Sequence, residues 1–365
     1  MRMGHGFGAG LYKRLAALTL IFFLSGGVAT AFPLFDLGPA GPKTVTLDPD
    51  DPATLTTHLT PAGLSTLKGV KRVAVSQFQV EYVLNTDGLT ARERGQIRVD
   101  YAIAGLPDAA LQSEADRLAE GFTAGLTAAG IEVVPFDQLA AAPSWARLAS
   151  VAKPSGAELH TAAGAGRLFN AGTRPWYFYA GDPHLGNWGL SWAFTPGQSV
   201  EQAVSRELDV AVITVRLVVG VRETRTHDAL LAIVRNGESF KGAPRLELAP
   251  GSAVLVAISG KTVGMSMPSG RGGYTVSDHL LFKDDVLGAV LTDKTSGLGK
   301  ASNLASTAMF AGAIFANMNG GNINMKLDKA YRFEAAPAPA EYVGVVDRNL
   351  SAAMKVLLAQ ITAAF

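Results

Sequence analysis

Arg72-Val73-Ala74-Val75-Ser76-Gln77-Phe78-Gln79-Val80-Glu81-Tyr82-Val83-Leu84 is the stretch on which the fold turns. Val73 and Val75 alternate with Ala74 and Ser76, which is the period of a strand. The apolar phase then moves to Phe78, Val80, Tyr82 and Leu84. A phase change inside one strand predicts a bulge. Asn85-Thr86-Asp87-Gly88 opens a charged loop that ends at Gly95, and Ile97, Val99, Tyr101 and Ile103 then alternate with Arg98, Asp100 and Ala102. The two strands are expected to form an antiparallel hairpin with one wet face. Leu111, Ala115, Leu118, Phe122, Leu126 and Ala129 recur at helical spacing, and Gly130 is a natural stop. Ile131 to Phe136 then reads as a strand. Strand, helix and strand with a short exit loop predict a sheet backed by helices.

Further along, Trp176 to Tyr179 reads as an aromatic strand. Ser199 with Gln202 fits a capping box for a helix running to about Leu208. Val210 to Arg222 is a long strand, with Ile213, Val215, Leu217, Val219 and Val221 on one face and Thr214, Arg216 and Arg222 on the other. Residues 229–292 predict an antiparallel meander over Leu230–Val234, Arg245–Leu248, Val254–Ser259 and Leu280–Leu291, with a glycine-rich loop at 269–273. Residues 301–318 form a helix of small residues, and 336–340 an exposed connection. Tyr342 to Phe365 is a helix striped by Val346, Leu350, Met354, Leu357, Leu358 and Ile361. The expected class is α/β (α+β), a mixed β-sheet packed against helices with the meander in the C-terminal half. Residues 32–67 show no sustained period and read as an extended arm. Residues 68–365 read as a single α/β domain, with no repeat to suggest a solenoid or propeller.

The first 31 residues read as a signal peptide. Arg2, Lys13 and Arg14 precede the apolar run Leu15–Leu24, and Ala29-Thr30-Ala31 is a small-x-small cleavage pattern. A run of ten falls short of the roughly 20 residues of a membrane span. Cleavage before Phe32 removes three of the 32 basic residues and none of the 31 acidic ones, turning a net charge of +1 into −2. That balance gives no footprint for nucleic acid. The chain has no cysteine, which excludes a disulfide scaffold, a thiolate metal site, a cysteine nucleophile and a lipid anchor on an N-terminal cysteine. Export places the protein in the periplasm or outside the cell, possible contact with the outer membrane included.

Motifs with chemical meaning are few. Gly181-Asp182-Pro183-His184-Leu185-Gly186-Asn187 resembles the catalytic loop of aminoglycoside-phosphotransferase-like kinases. No glycine-rich nucleotide loop precedes it, and no metal-binding aspartate follows in Phe194-Thr195-Pro196-Gly197. A turn is the simpler reading. Asp182 and His184 stand as the candidate carboxylate and imidazole of a dispersed hydrolase site. Trp176, Tyr177, Tyr179, Trp188 and Trp192 crowd the same region. Trp176, Tyr179, Asn187 and Trp188 are the candidate contacts for a ligand or partner. The six histidines lie too far apart in sequence for a metal motif, so neither a metal nor a cofactor is expected. The helix at 301–318 carries no charged side chain and offers Ala305, Ala308, Ala311, Gly312 and Ala316 as a small-residue surface for a neighbouring subunit or a membrane.

Val73 to Leu139 resembles exported α/β proteins of the curli-secretion-channel and TolB amino-terminal type. The resemblance rests on Arg72 to Phe78, on Leu126 to Val134 and on the later Glu207 to Ile213. It covers about a third of the chain, and the cysteine that usually anchors the curli channel family is missing. It implies a periplasmic α/β fold in envelope assembly. The expectation is therefore an exported, non-catalytic binding or assembly component of a bacterial envelope, its partner another envelope protein, a small ligand or a second copy. A periplasmic hydrolase and an outer-membrane-associated oligomer are the alternatives.

Overall fold

A computed structural model describes residues 42–86, 89–91, 95–148, 150–161, 164–178, 196–224, 242–258, 271–318 and 327–365. Two long parallel strands form the spine: β3 (Arg72–Thr86) and β9 (Ala211–Glu223). The other thirteen strands named among the described residues join the same sheet. On its far side β3 pairs in parallel with β6 (Glu132–Val134) and antiparallel with β8 (Gly164–Asn170), whose outer neighbour is β7 (Ala157–Thr161). The far side of β9 forks. Its first half pairs with β11 (Ala253–Ala257) and its second with β10 (Pro244–Leu248), both antiparallel. One wing continues from β11 to β12 (Arg271–Val276) and β2 (Leu59–Ala62). The other continues from β10 to β13 (His279–Phe282) and β1 (Thr44–Leu47).

The bulge lies where the apolar phase changes. Val75 faces Ile213 and Gln77 faces Thr214, so Ser76 is the extra residue. Ser76 and Gln77 consequently both join the face opposite Val75 and Phe78. The main core lies on the Phe78 side. Val73, Phe78, Val80 and Tyr82 of β3 and Ile213, Val215, Leu217, Val219 and Val221 of β9 are buried there. Two helices cover them: α1 (Asp108–Ala128), through Leu111, Ala115, Leu118, Phe122 and Leu126, and α5 (Pro339–Ala364), through Val346, Leu350, Leu357 and Ile361. Burying one such side chain stabilises by about 1.5–3 kcal/mol. Glycines set the approach of the two helices: a Cβ on Gly121 would crowd Met354, and one on Gly125 would overlap Leu358. Gly130, at φ +80°, ends α1 as expected and leads straight into β6. The other face is covered by α2 (Phe136–Ala140) and α3 (Pro196–Leu208), which bury Leu139, Val200 and Val204 against Ala74, Val212 and Ala257.

Several expectations change in the folded chain. The predicted hairpin of β3 with β5 (Gly95–Ile103) reduces to a single register pair, Asn85 with Ala102. The tight partner of β5 is instead β4 (Leu89–Ala91), and its long partner is β15 (Leu327–Ala335), in parallel. β15 was not foreseen, although Lys329, Tyr331, Phe333 and Ala335 alternate with Ala330, Arg332 and Glu334. Residues 280–291, expected as one strand, split into β13 and the short β14 (Leu291–Asp293), which pairs with β15. The last residues of the glycine-rich stretch at 269–273 open β12; at Gly273 (φ +147°) a Cβ would strike the Val254 carbonyl. α3 begins at Pro196, so Ser199 sits in its first turn rather than capping it. Trp176 forms one isolated antiparallel bridge with Lys153 instead of a strand. The expected strand at 230–234 lies outside the described residues.

The described part of the expected arm is built into the sheet: β1 and β2 close the outer edges of the two wings. A single turn holds both. Asp278, between β12 and β13, accepts from the Lys43 N–H at 2.8 Å and meets His58 Nδ1 at 2.7 Å. The Ser277 N–H donates to the His58 carbonyl at 3.0 Å, and the His279 N–H to that of Lys43 at 2.8 Å. Burial alone would raise the Asp278 pKa, but His58 and the Lys43 N–H hold the carboxyl below its ordinary value. A group of that kind stabilises the fold above its unfolded pKa near 4, and the contribution is lost as the pH falls through its lowered folded value. Asp278→Ala is expected to release β1 and β2, read as faster proteolytic cleavage within residues 42–62 while the α1–α5 core stays protected.

A buried polar row as the candidate functional site

The face of the spine opposite the main core carries a row of polar side chains. The bulge and the strand period place Ser76, Gln77, Gln79 and Glu81 of β3 beside Thr214 and Arg216 of β9, and all six are buried. At one end sits Glu201 of α3, fully buried. Its Oε1 accepts from the Thr214 hydroxyl at 2.9 Å and the Tyr177 hydroxyl at 3.0 Å, and lies 3.2 Å from Ser76 Oγ. Its Oε2 pairs with Arg271 of β12, also buried. The carboxylate thus ties five segments of chain together. Its acceptor positions are taken by these donors, which suits a structural clamp rather than a general base.

The row continues along the strands. The Tyr177 N–H donates to Gln77 Oε1 at 2.9 Å, and Gln79 Nε2 donates to the same oxygen at 2.6 Å. Arg216 reaches Gln79 Oε1 at 3.4 Å and pairs with Glu81 Oε2 at 2.6 Å, with both side chains of that ion pair inaccessible to solvent. Bare charges could not remain at such depth. Each is paired, and the amides between them link the two pairs into one network. Burial pushes the Tyr177 hydroxyl up to about 12, despite the opposing pull of the Ser76 hydrogen bond and the Arg271 charge. Burial likewise raises Tyr82 and Tyr342 on the other face.

The sequence placed Thr214 and Arg216 on the face opposite the valines, and that is where they lie. What alternation alone could not reveal is that this face is dry. Glu201 and Arg271 were missed because their partners are distant in sequence. The available signal was the run Gln77, Gln79 and Glu81 between the apolar positions of a strand whose opposite neighbours are also polar. Of the residues proposed from sequence, Trp176 is completely buried against Leu159, Leu168 and Phe178, with Lys153 Nζ 5.3 Å from its ring centroid. Its ring is core packing, not an exposed contact. Tyr179, Asp182, His184, Asn187 and Trp188 lie outside the described residues. Among the described residues no group of three or more His, Asp or Glu side chains is placed to hold a metal ion.

The chain matches no family model, no curated protein and no solved structure.

Two outcomes test the row. Arg216→Ala removes the buried cation that Glu81 Oε2 pairs with, and is expected to cost about 3–5 kcal/mol in urea unfolding. Arg216→Met combined with Glu81→Leu removes both charges and should recover most of that loss. Against alkali, the unfolded chain ionises tyrosine near 10 while folded Tyr177 holds its proton to about 12. The stability Tyr177 supplies is therefore complete below pH 10 and falls between about pH 10 and 12. Tyr177→Phe should make the alkaline decline shallower, with Tyr82 and Tyr342 accounting for what remains.

Proposed function

We propose that this chain is an exported, non-catalytic assembly component of a bacterial envelope, and that α4 (Gly297–Met318) is the surface through which it meets a second copy of itself. The observation that carries this reading is the outward face of α4. Its innermost described side chain, Asn303, is buried and grips β15 twice: Nδ2 donates to the Ala330 carbonyl at 2.8 Å, and Oδ1 accepts from the Ala330 N–H at 3.0 Å. At 100° per residue, Leu298, Ala301, Leu304, Ala305, Ala308 and Met309 fall on the arc away from Asn303. All six are exposed, Leu298 at 84%, Leu304 at 73% and Met309 at 54%. Residues 301–318 carry no charge. A contiguous apolar strip of this kind marks a contact surface.

A second copy fits the strip because an isologous contact needs only one self-complementary patch. Here large Leu298, Leu304 and Met309 alternate with alanines into which they can interlock. Among the described residues no helix is long and apolar enough to cross a membrane. The basic N-terminal residues, the apolar run Leu15–Leu24 and the Ala29-Thr30-Ala31 pattern support export. The resemblance of residues 73–139 to envelope α/β proteins supports the setting.

The full-length gene product, exported and purified without detergent, is expected to begin near Phe32 and to form a discrete oligomer by native mass. Leu304→Asp with Met309→Asp should yield monomers of unchanged circular dichroism. A wild-type chain that is monomeric at all concentrations would remove the support for this reading.

A further inference from the structure

A cavity of about 500 Å³ opens where the spine begins. Because β3 and β9 run parallel, their N-terminal ends lie side by side, and the turn leaving α3 packs against them. Lys68, Lys71 and Arg72 line it from the β3 side, and Arg206 and Asp209 from the end of α3. Val70, Val210, Ala211 and Ile258 supply apolar wall. Four basic residues thus line one hollow with Asp209, and Glu132, paired with Arg72, stands beside it, which leaves an excess of positive charge. Clefts lined by one sign of charge concentrate the field inside them.

The walls of this hollow are fixed before any ligand arrives. Arg72 is held by Glu132 Oε1 at 2.8 Å and by the Leu208 carbonyl at 2.7 Å, so its guanidinium stands at the rim without searching. The Gly69 N–H donates to the Phe365 carbonyl, pinning the turn between Lys68 and Lys71 to the end of α5. Ser205 Oγ donates to the Val210 carbonyl at 2.6 Å and braces the opposite turn. Asp209 occupies the left-handed region at φ +51°, which places a side chain where a helix usually ends in glycine. Lys68 and Lys71 are exposed and engage no carboxylate among the described residues.

We propose that this cavity binds a small phosphate ester. A bare ion would leave most of the volume empty, whereas small-molecule sites run about 300–1,000 Å³. Lysine point charges and an arginine fork are the donors that phosphate takes, and the apolar wall suits the carbon part of the ester. The site is separate from the α4 surface and does not depend on self-association.

Calorimetric titration of the full exported chain with glycerol 2-phosphate tests it. Saturable binding that weakens with added salt is expected, falling about tenfold or more in Lys71→Gln with Arg206→Gln. Both side chains are exposed, and an unchanged thermal unfolding of the ligand-free variant confirms that the loss is local. Asp209→Asn should tighten binding. A lipid headgroup is the other source of the same chemistry. Sedimentation with phosphatidic acid vesicles but not phosphatidylcholine vesicles, lost in the double variant, would assign the site to a membrane phosphate. No binding to either probe, or binding that survives in the double variant, would overturn the proposal.

Discussion

The parallel pairing of β3 with β9 constrains everything else in this molecule. Nine register pairs run from Val73–Ala211 to Tyr82–Val219, broken only at Ser76. Parallel strands need a long crossover, and the chain between them supplies it with α1, α2, α3 and strands β4–β8. Each helix then falls on one face or the other because the apolar sets of the two strands allow nothing else. A slip of one residue would exchange Ile213, Val215 and Leu217 with Thr214 and Arg216. The valines would then meet the polar network and the ion pairs would meet α1 and α5.

The buried row gives that register a second lock. Hydrophobic burial alone is less strict about a slip of two residues, which keeps each side chain on its face and replaces one aliphatic residue by the next. The Arg216–Glu81 pair and the Glu201 clamp tolerate none, because a displaced partner leaves a charge in a dry interior. The bulge belongs to the same device. By adding one residue to β3, it turns Ser76 and Gln77 onto the same face, which lets Ser76 approach Glu201 while Gln77 receives the Tyr177 N–H. The local irregularity is what brings α3 and the 176–178 segment into one network with the sheet.

The edges of the sheet are handled in different ways. β1 and β2 come from the N-terminal segment and close two wings that separate after β9, held by the one turn around Asp278. An exposed strand edge invites pairing with other chains, and here β1 and β2 cover β13 and β12 while being only four residues long themselves, which keeps the edge they present short. At β15 the solution is a side chain: the Asn303 amide satisfies both backbone groups of Ala330. That turns Asn303 inward, while Leu298, Leu304 and Met309 face outward. The Asn303 amide thus fixes the helix to β15.

Local pattern was sufficient wherever the cause was local. The phase change at Ser76 marked the bulge, the spacing of Leu111 to Leu126 marked α1, Gly130 marked its end, and the alternating aliphatic residues from Ile213 to Val221 marked the core face of β9. Each rests on the geometry of a few neighbouring residues, so the amino-acid order by itself determined the mixed sheet with helices against it. The pairings beyond that were decided by the tertiary structure. Nothing in the arm's composition says that it closes two wings, because β1 and β2 are defined by partners more than 200 residues away. Glu201 and Arg271 read as ordinary surface charges until the fold buries them together. The face of Arg216 was legible, but its dryness was not: alternation records which side a residue takes, and only the packing of α3 against that side decides whether water remains there.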